Sequence, residues 1–148
     1  MTVTVEPSDV EIRAGSLDDV EAMESFLLAL SPDTSYRRFL TGFGPQTPPG
    51  LAAHLLRPGA VGGSLLAFRG GAVVGHAMCA PLATPTGGDE AGTGLTAEVA
   101  VVVADCDQGR GLGSRLIDAI LRGIPREDFS AVQVVVSAQN RIVGRMIL

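Results

Sequence analysis

The chain has 148 residues, of which 46% are hydrophobic and 18% charged, a balance that predicts one folded domain and excludes a disordered chain. All 11 basic residues are arginine, and 16 acidic residues outnumber them, so the net charge of −5 argues against nucleic acid as the main partner. Two cysteines, Cys79 and Cys106, are too few for a disulfide framework. No apolar run approaches the roughly 20 residues of a membrane helix, and the N-terminus lacks a signal-peptide pattern, so we expect a cytoplasmic protein.

The first half of the chain is predicted to be mainly helical. Residues 1–9 are expected to form a flexible leader, and residues 10–148 a single domain. Ser16 followed three positions later by Asp19 resembles a capping box, which predicts a helix that continues until Pro32 interrupts it. In chain order we expect a strand at 10–14, this helix at 16–31, and two shorter helices at 35–40 and 51–57.

The second half is predicted to alternate strands and helices. Two apolar runs joined by Gly70 and Gly71 indicate an antiparallel hairpin. Two further apolar runs flank an amphipathic segment and predict a βαβ unit with parallel strands that are buried on both faces. The expected elements are strands at 64–69, 72–82, 95–104 and 131–136, and helices at 112–123 and 137–148. The predicted fold class is therefore α/β, with a central mixed (α+β) sheet flanked by helices.

The segment Gln108–Ser114, with the sequence Gln-Gly-Arg-Gly-Leu-Gly-Ser, lies between a predicted buried strand and the first turn of a predicted helix. Glycines at this place allow positive φ angles and a close approach of the backbone to a ligand. The helix N-terminus offers unpaired amides and the positive end of the helix dipole. Together these features predict an anion site, most naturally for a pyrophosphate, to which Arg110 could add a charged contact.

Three other interpretations of this turn have different requirements. A P-loop needs a lysine, and the chain contains none, so that interpretation fails. A dinucleotide-binding turn would need a glycine near the positions that Ser114 and Arg115 occupy here. It would also follow the first strand of the domain, whereas this turn follows roughly the fourth predicted strand. A glycine-rich turn that only packs a helix tightly against a sheet remains open at this point.

The context of the turn resembles one protein family. The pattern Gln-x-x-Gly-x-Gly, after an apolar strand that contains an acidic residue, resembles the acetyl-CoA motif of the GCN5-related N-acetyltransferase (GNAT) family. The order of the predicted elements resembles the GNAT fold over residues 10–147, nearly the whole chain. The segment 30–39 is similar to the subgroup that contains bacterial protein-lysine acetyltransferases.

The resemblance implies a site for acetyl-CoA as cosubstrate and a catalytic base, without a metal. Backbone groups of the signature strand would pair with the pantetheine arm, and amides of the glycine-rich turn would hold the pyrophosphate. Glu98, the acidic residue of that strand, would act as the general base. The implied cofactor-binding residues are Val101, Val103, Gln108, Gly109, Arg110, Gly111, Leu112, Gly113, Ser114 and Asn140.

The chain departs from the family pattern near its C-terminus. Many members have a tyrosine, the usual catalytic acid, seven residues after the asparagine, and this chain has Ile147 there. Two strands usually follow the last helix, so we expect these C-terminal strands to be missing. An open sheet edge favours pairing with a second copy, and a homodimer is therefore a hypothesis.

The sequence thus predicts an N-acyltransferase that moves an acetyl group from acetyl-CoA to a primary amine on a small molecule or a protein lysine. A catalytically weak acyl-CoA-binding regulatory module and a purely structural dimer module are the alternatives. His76 and Cys79 have the spacing of a metal pair, but residues three apart on a strand point to opposite faces, so no metal site is expected. Cys106 is expected to be an ordinary free thiol, because no histidine lies near it in sequence.

Overall fold

A six-stranded sheet forms the centre of the molecule in the computed structural model, which describes residues 9–39, 47–56, 63–81, 95–124, 129–136 and 141–147. The strands are β1 (Glu11–Ala14), β2 (Ser64–Arg69), β3 (Ala72–Pro81), β4 (Leu95–Val103), β5 (Phe129–Val136) and β6 (Arg141–Ile147). They lie side by side in chain order, and each neighbouring pair is antiparallel except β4 and β5, which are parallel. The predicted hairpin, βαβ unit and mixed sheet are therefore confirmed. The predicted leader falls outside the described residues, except for its last residue.

The described residues include four α-helices, of which the first, third and fourth pack against the sheet: α1 (Val20–Ala29), α2 (Pro32–Phe39), α3 (Leu51–Leu56) and α4 (Leu112–Arg122). On one face α4 buries Leu116 and Ile120 against side chains of β3 and β4. On the other face α1 and α3 bury Leu27 and Leu56 against Leu66 of β2. The sheet is thus apolar on both faces, as the long uninterrupted runs of its central strands predicted. Within the described residues, no helix is long and apolar enough to cross a membrane.

Glycine at position 75 sets the distance between α4 and the sheet. A Cβ at Gly75 would lie 2.9 Å from Cδ1 of Leu116, closer than real Cβ contacts. Any larger residue would push α4 away from β3 or force Leu116 to move. Because α4 begins directly after the glycine-rich turn, this close packing also fixes where that turn lies relative to the end of β4.

The predicted capping box is present, although it caps a 3₁₀ turn that precedes α1. The Ser16 side chain accepts a hydrogen bond from the Asp18 amide, and the Ser16 amide donates to Oδ2 of Asp19 at 3.0 Å. The Asp19 carboxylate also pairs with the Arg13 guanidinium at 2.8 Å. This hydrogen bond from Arg13 lowers the pKa of Asp19 to about 2.

Replacing Asp19 with alanine is expected to lower the free energy of unfolding by about 1 kcal/mol at neutral pH, because both the cap and the ion pair are lost. The folded-state pKa of Asp19 lies below its unfolded value of about 3.9, so the ionised form stabilises the fold. This contribution is present above pH 4 or so, and it is lost as the pH falls towards 2. Denaturant unfolding between pH 2 and 7 would measure it. The neighbouring exposed Asp18, replaced with alanine, is the charge-matched control; an equal loss in both variants would contradict the assignment.

The C-terminal segment differs from its prediction. We expected a helix at 137–148, but residues Arg141–Ile147 form β6, which pairs antiparallel with β5. The helical spacing in the sequence is a local pattern, whereas the free edge of β5 offers a row of unpaired backbone groups. Pairing with that edge satisfies them, and the β-branched Ile142 and Val143 suit a strand.

Candidate functional site

The glycine-rich turn connects the end of β4 to the start of α4, as the sequence predicted. A 3₁₀ turn at Asp105–Asp107 follows β4, and α4 begins at Leu112. Gly109 and Gly111 have φ angles of 78° and 85°, and Gly111 is the N-cap residue of α4. In this left-handed region a residue with a Cβ is strained by roughly 1–2 kcal/mol. The backbone path by itself therefore favours glycine at both positions.

The space beside the turn is open. Among the described residues, no heavy atom lies within 4 Å of the position of a Cβ on Gly109 or Gly111. Residues Gln108–Gly111 and Ser114 are exposed, and glycine at the N-cap leaves the first amides of α4 without a capping side chain. Because a helix start carries a partial positive charge, the turn can accept an anion at this place. The Arg110 side chain is exposed at the same turn.

Gln108 has a structural contact that the sequence did not predict. Its Nε2 donates a hydrogen bond to the carbonyl oxygen of Val103 at 3.0 Å. The same Nε2 lies 3.5 Å from Oγ1 of Thr34 on α2. In this structure the Gln108 carboxamide therefore closes the turn back onto the last residue of β4.

An ion pair with a buried carboxylate joins the turn to the end of β2. Nη1 of Arg69, the last residue of β2, lies 2.6 Å from Oδ1 of Asp107, whose side chain is only 3% exposed. Removal of the Arg69 guanidinium would leave the buried Asp107 carboxylate without its counter-charge, which is destabilising. The exposed Cys106 lies beside this pair, with its Sγ 3.4 Å from the other carboxylate oxygen of Asp107.

Asp105 links the turn to α2. Its carboxylate accepts hydrogen bonds from the Ser31 amide at 2.8 Å, the Ser31 hydroxyl at 2.9 Å and the Thr34 hydroxyl at 2.6 Å. Burial raises the pKa of the Asp105 carboxyl, but the hydrogen bonds from Thr34 and Ser31 outweigh it and hold this pKa below its ordinary value. Sequence reasoning missed these residues, because Ser31 and Asp105 are separated by more than 70 positions. The one sequence feature that pointed to this contact was the hydroxyl of Ser31 next to a predicted helix.

Glu98 lies on β4, upstream of the turn. Side chains alternate along a strand, so Glu98 shares its face with Val102, which packs against α1 and α3, while Val99 and Val101 pack under α4. Five residues separate Glu98 from the end of β4, a distance of about 17 Å along an extended strand. The Glu98 side chain is half-buried, and its register partners are Ala80 on β3 and Gln133 on β5.

The end of β4 extends past its described partner strand. Val101 pairs with Val136, the last residue of β5, whereas Val103 lies beyond this pair. Backbone groups at this strand end are the ones for which the family resemblance implies contact with a pantetheine arm. Asn140, the remaining predicted cofactor contact, lies outside the described residues.

His76 and Cys79 occupy opposite faces of β3, as their spacing predicted. Nε2 of His76 lies 2.9 Å from Oγ of Ser64 and 3.2 Å from the Leu55 carbonyl oxygen of α3, and the ring is fully buried. Cys79 is in the cluster under α4, where burial raises the pKa of its thiol to about 11. In the described part of the chain, no group of three or more His, Cys, Asp or Glu side chains could hold a metal.

The chain is similar to acetyltransferases in sequence and fold. The model of the acetyltransferase (GNAT) family matches residues 28–146. The crystal structure of the GNAT domain of S. lividans PAT is 24% identical with a TM-score of 0.71, over 84% of this chain and 70% of that one. A ribosomal-protein-alanine N-acetyltransferase from Brucella melitensis biovar Abortus 2308 is 25% identical with a TM-score of 0.55, over 86% and 79% of the two chains.

A GNAT family acetyltransferase from Brucella melitensis, crystallised in complex with acetyl-CoA, is 20% identical with a TM-score of 0.54. That match covers 85% of this chain and 75% of the other. Identities this low establish a common fold and nothing more about substrates. No protein of the curated set matches the sequence.

Proposed function

Since this chain belongs to the GNAT acetyltransferase family, we propose that it transfers an acetyl group from acetyl-CoA to a primary amine in the cytoplasm. One observation carries the proposal. The turn between β4 and α4 has two glycines with positive φ, open space beside them and uncapped helix amides behind them.

The cofactor would extend from this turn along β4. Amides of the segment 109–114 would hold the pyrophosphate, with Arg110 and Ser114 adding polar contacts. The pantetheine arm would pair with backbone groups near Val101 and Val103, in the manner of an added strand. Because β5 pairs with β4 from Leu95 to Val101, an arm that continues towards Glu98 would lie over a face of the sheet; Glu98 is five positions from the strand end, and each residue adds about 3.3 Å.

At that level the chemistry is aminolysis of a thioester. A primary amine is mostly protonated at neutral pH, so it must lose a proton before its nitrogen can attack the acetyl carbonyl. We assign the removal of that proton to the Glu98 carboxylate, directly or through one water. The C–N bond forms, the C–S bond breaks, and the thiolate of CoA leaves and takes up a proton. Its conjugate acid has a pKa of roughly 8.5, so solvent can supply this proton without a tyrosine at position 147.

The second candidate function is a catalytically weak acyl-CoA-binding regulatory module. It is supported by Ile147, which stands where many relatives have the tyrosine acid. The acceptor is less well determined than the cofactor: a net charge of −5 favours a cationic amine, and the segment 30–39 resembles enzymes that act on protein lysines. A homodimer remains a further prediction, which the mass in solution at several concentrations would test.

Turnover with a panel of amines is the test of the proposed function. We expect acetyl-CoA to bind, and free CoA thiol to be released only when an accepted amine is added. The panel would contain a polyamine, an aminoglycoside, a peptide with a free N-terminus and the same peptide with an internal lysine. Binding of acetyl-CoA without release of CoA for any amine would favour the regulatory module. A folded protein that binds no acetyl-CoA would contradict both functions.

A further inference from the structure

Four side chains form one hydrogen-bonded group between α2 and the glycine-rich turn. The group, here called the Asp105 cluster, consists of Ser31, Thr34, Asp105 and Gln108. Ser31 directly precedes α2 and Thr34 lies in its first turn, whereas Asp105 and Gln108 lie on the segment between β4 and α4. The cluster therefore joins two parts of the fold that are distant in sequence, and the proposed cofactor turn is one of them.

Thr34 is the central member of the cluster. Its hydroxyl donates to the Asp105 carboxylate at 2.6 Å, and its oxygen lies 3.5 Å from Nε2 of Gln108. The residue is only 7% exposed, so water competes little for these contacts. Hydrogen bonds to a carboxylate are shorter and stronger than those between neutral groups.

The contacts continue from Thr34 to the strand that would hold the cofactor arm. Gln108 donates to the carbonyl oxygen of Val103 at 3.0 Å, and the Ser31 amide and hydroxyl complete the contacts of Asp105. The position of Gln108, the first residue of the turn, thus depends on the position of α2. The reverse also holds, since free-energy coupling between two sites is reciprocal.

We infer that Asp105 and Thr34 are positioning residues that hold the glycine-rich turn in its binding conformation, so that binding of acetyl-CoA to the turn also stabilises α2. The inference rests on the proposed function for the identity of the ligand. Binding to a preformed turn avoids the entropy cost of ordering that turn. The affinity for the ligand therefore increases without any additional contact to it. Neither residue needs to touch acetyl-CoA.

Replacing Thr34 with valine removes the hydroxyl but keeps the shape of the side chain. We expect the KM for acetyl-CoA to rise about tenfold, within the usual range of coupling effects, while kcat at saturating acetyl-CoA stays within about twofold. Thr34→Ser, which restores the hydroxyl, is the matched control and should restore the wild-type KM. A valine variant with the KM of the wild type, or a serine variant with the KM of the valine variant, would overturn the inference.

Hydrogen–deuterium exchange of the amides in α2 provides a readout that does not depend on activity. In the wild-type protein, acetyl-CoA is expected to slow exchange of the amides of residues 33–39, and in Thr34→Val it should not. Ser31→Ala, which keeps the backbone donor to Asp105, is a milder variant that serves if Thr34→Val fails to fold; its ligand-dependent protection should be reduced. If acetyl-CoA binds to the wild type but leaves exchange in α2 unchanged, this inference is wrong and the proposed function still stands. If acetyl-CoA does not bind at all, both the inference and the proposed function are wrong.

Discussion

Replacing Glu98 with glutamine is expected to lower kcat at least about 100-fold while leaving the affinity for acetyl-CoA unchanged. Glutamine has nearly the same shape but cannot accept the proton of an ammonium group. The amine must then lose its proton to solvent, where its pKa of about 10.4 keeps most of it charged at neutral pH. Initial rates, together with calorimetric titration of acetyl-CoA, would measure the two quantities separately.

The pH dependence of the variant separates loss of a base from a general disturbance of the site. Activity of Glu98→Gln should rise steeply between pH 7 and 9, because the fraction of free amine increases about tenfold for each pH unit. Glu11→Gln is the matched control, since Glu11 also lies on a strand, at the far edge of the sheet, and is exposed. If the Glu98 variant keeps wild-type turnover, another group or the solvent removes the proton.

Replacing Gly111 with tryptophan is expected to weaken acetyl-CoA binding at least about 100-fold, or roughly 2.7 kcal/mol. The structure gives two reasons for this. A side chain at position 111 would project into the open space beside the turn, where the pyrophosphate would lie. It would also strain the N-cap of α4, where φ is 85°. Titration of acetyl-CoA into both proteins would measure the change in Kd.

Strain and ligand blocking can be distinguished with a second glycine. Gly50 precedes α3 as Gly111 precedes α4, has a φ of 80°, and has no described heavy atom within 4 Å of its Cβ position. Gly50→Trp should therefore show a similar loss of thermal stability but bind acetyl-CoA as the wild type does. Equal loss of binding in the two variants would assign the effect of Gly111→Trp to destabilisation and not to the ligand site.

Much of this architecture follows from local patterns in the sequence. Strands β2 to β5 are apolar runs bounded by glycines or polar segments, and α4 has an amphipathic period, so their type depends on neighbours within a few residues. The capping box of Ser16 and Asp19 and the position of the glycine-rich turn follow for the same reason. Glycine at positions 109 and 111 indicates positive φ directly, because other residues are strained there.

Contacts between distant segments could not be found in this way. The helical spacing of residues 137–148 is a local pattern, but the free edge of β5 is created only when the sheet assembles, and residues 141–147 pair with it. The contact of Asp105 with Ser31 and Thr34, and that of Asp107 with Arg69, join residues that no sequence spacing relates. The position of an aspartate in the sequence does not indicate which hydrogen-bond donor its carboxylate will contact in the folded protein.

The sequence by itself indicated the family through its resemblance to the acetyl-CoA motif. It also determined the order of the central elements and the place of the glycine-rich turn, because these two depend on periodicity, glycine and helix-end chemistry within short segments. Only the tertiary structure decided which face of the sheet carries Glu98, how α2 is attached to the glycine-rich turn, and what pairs with the edge of β5. Those outcomes depend on burial and on hydrogen-bond partners far apart in the chain, and these come together only when the elements pack.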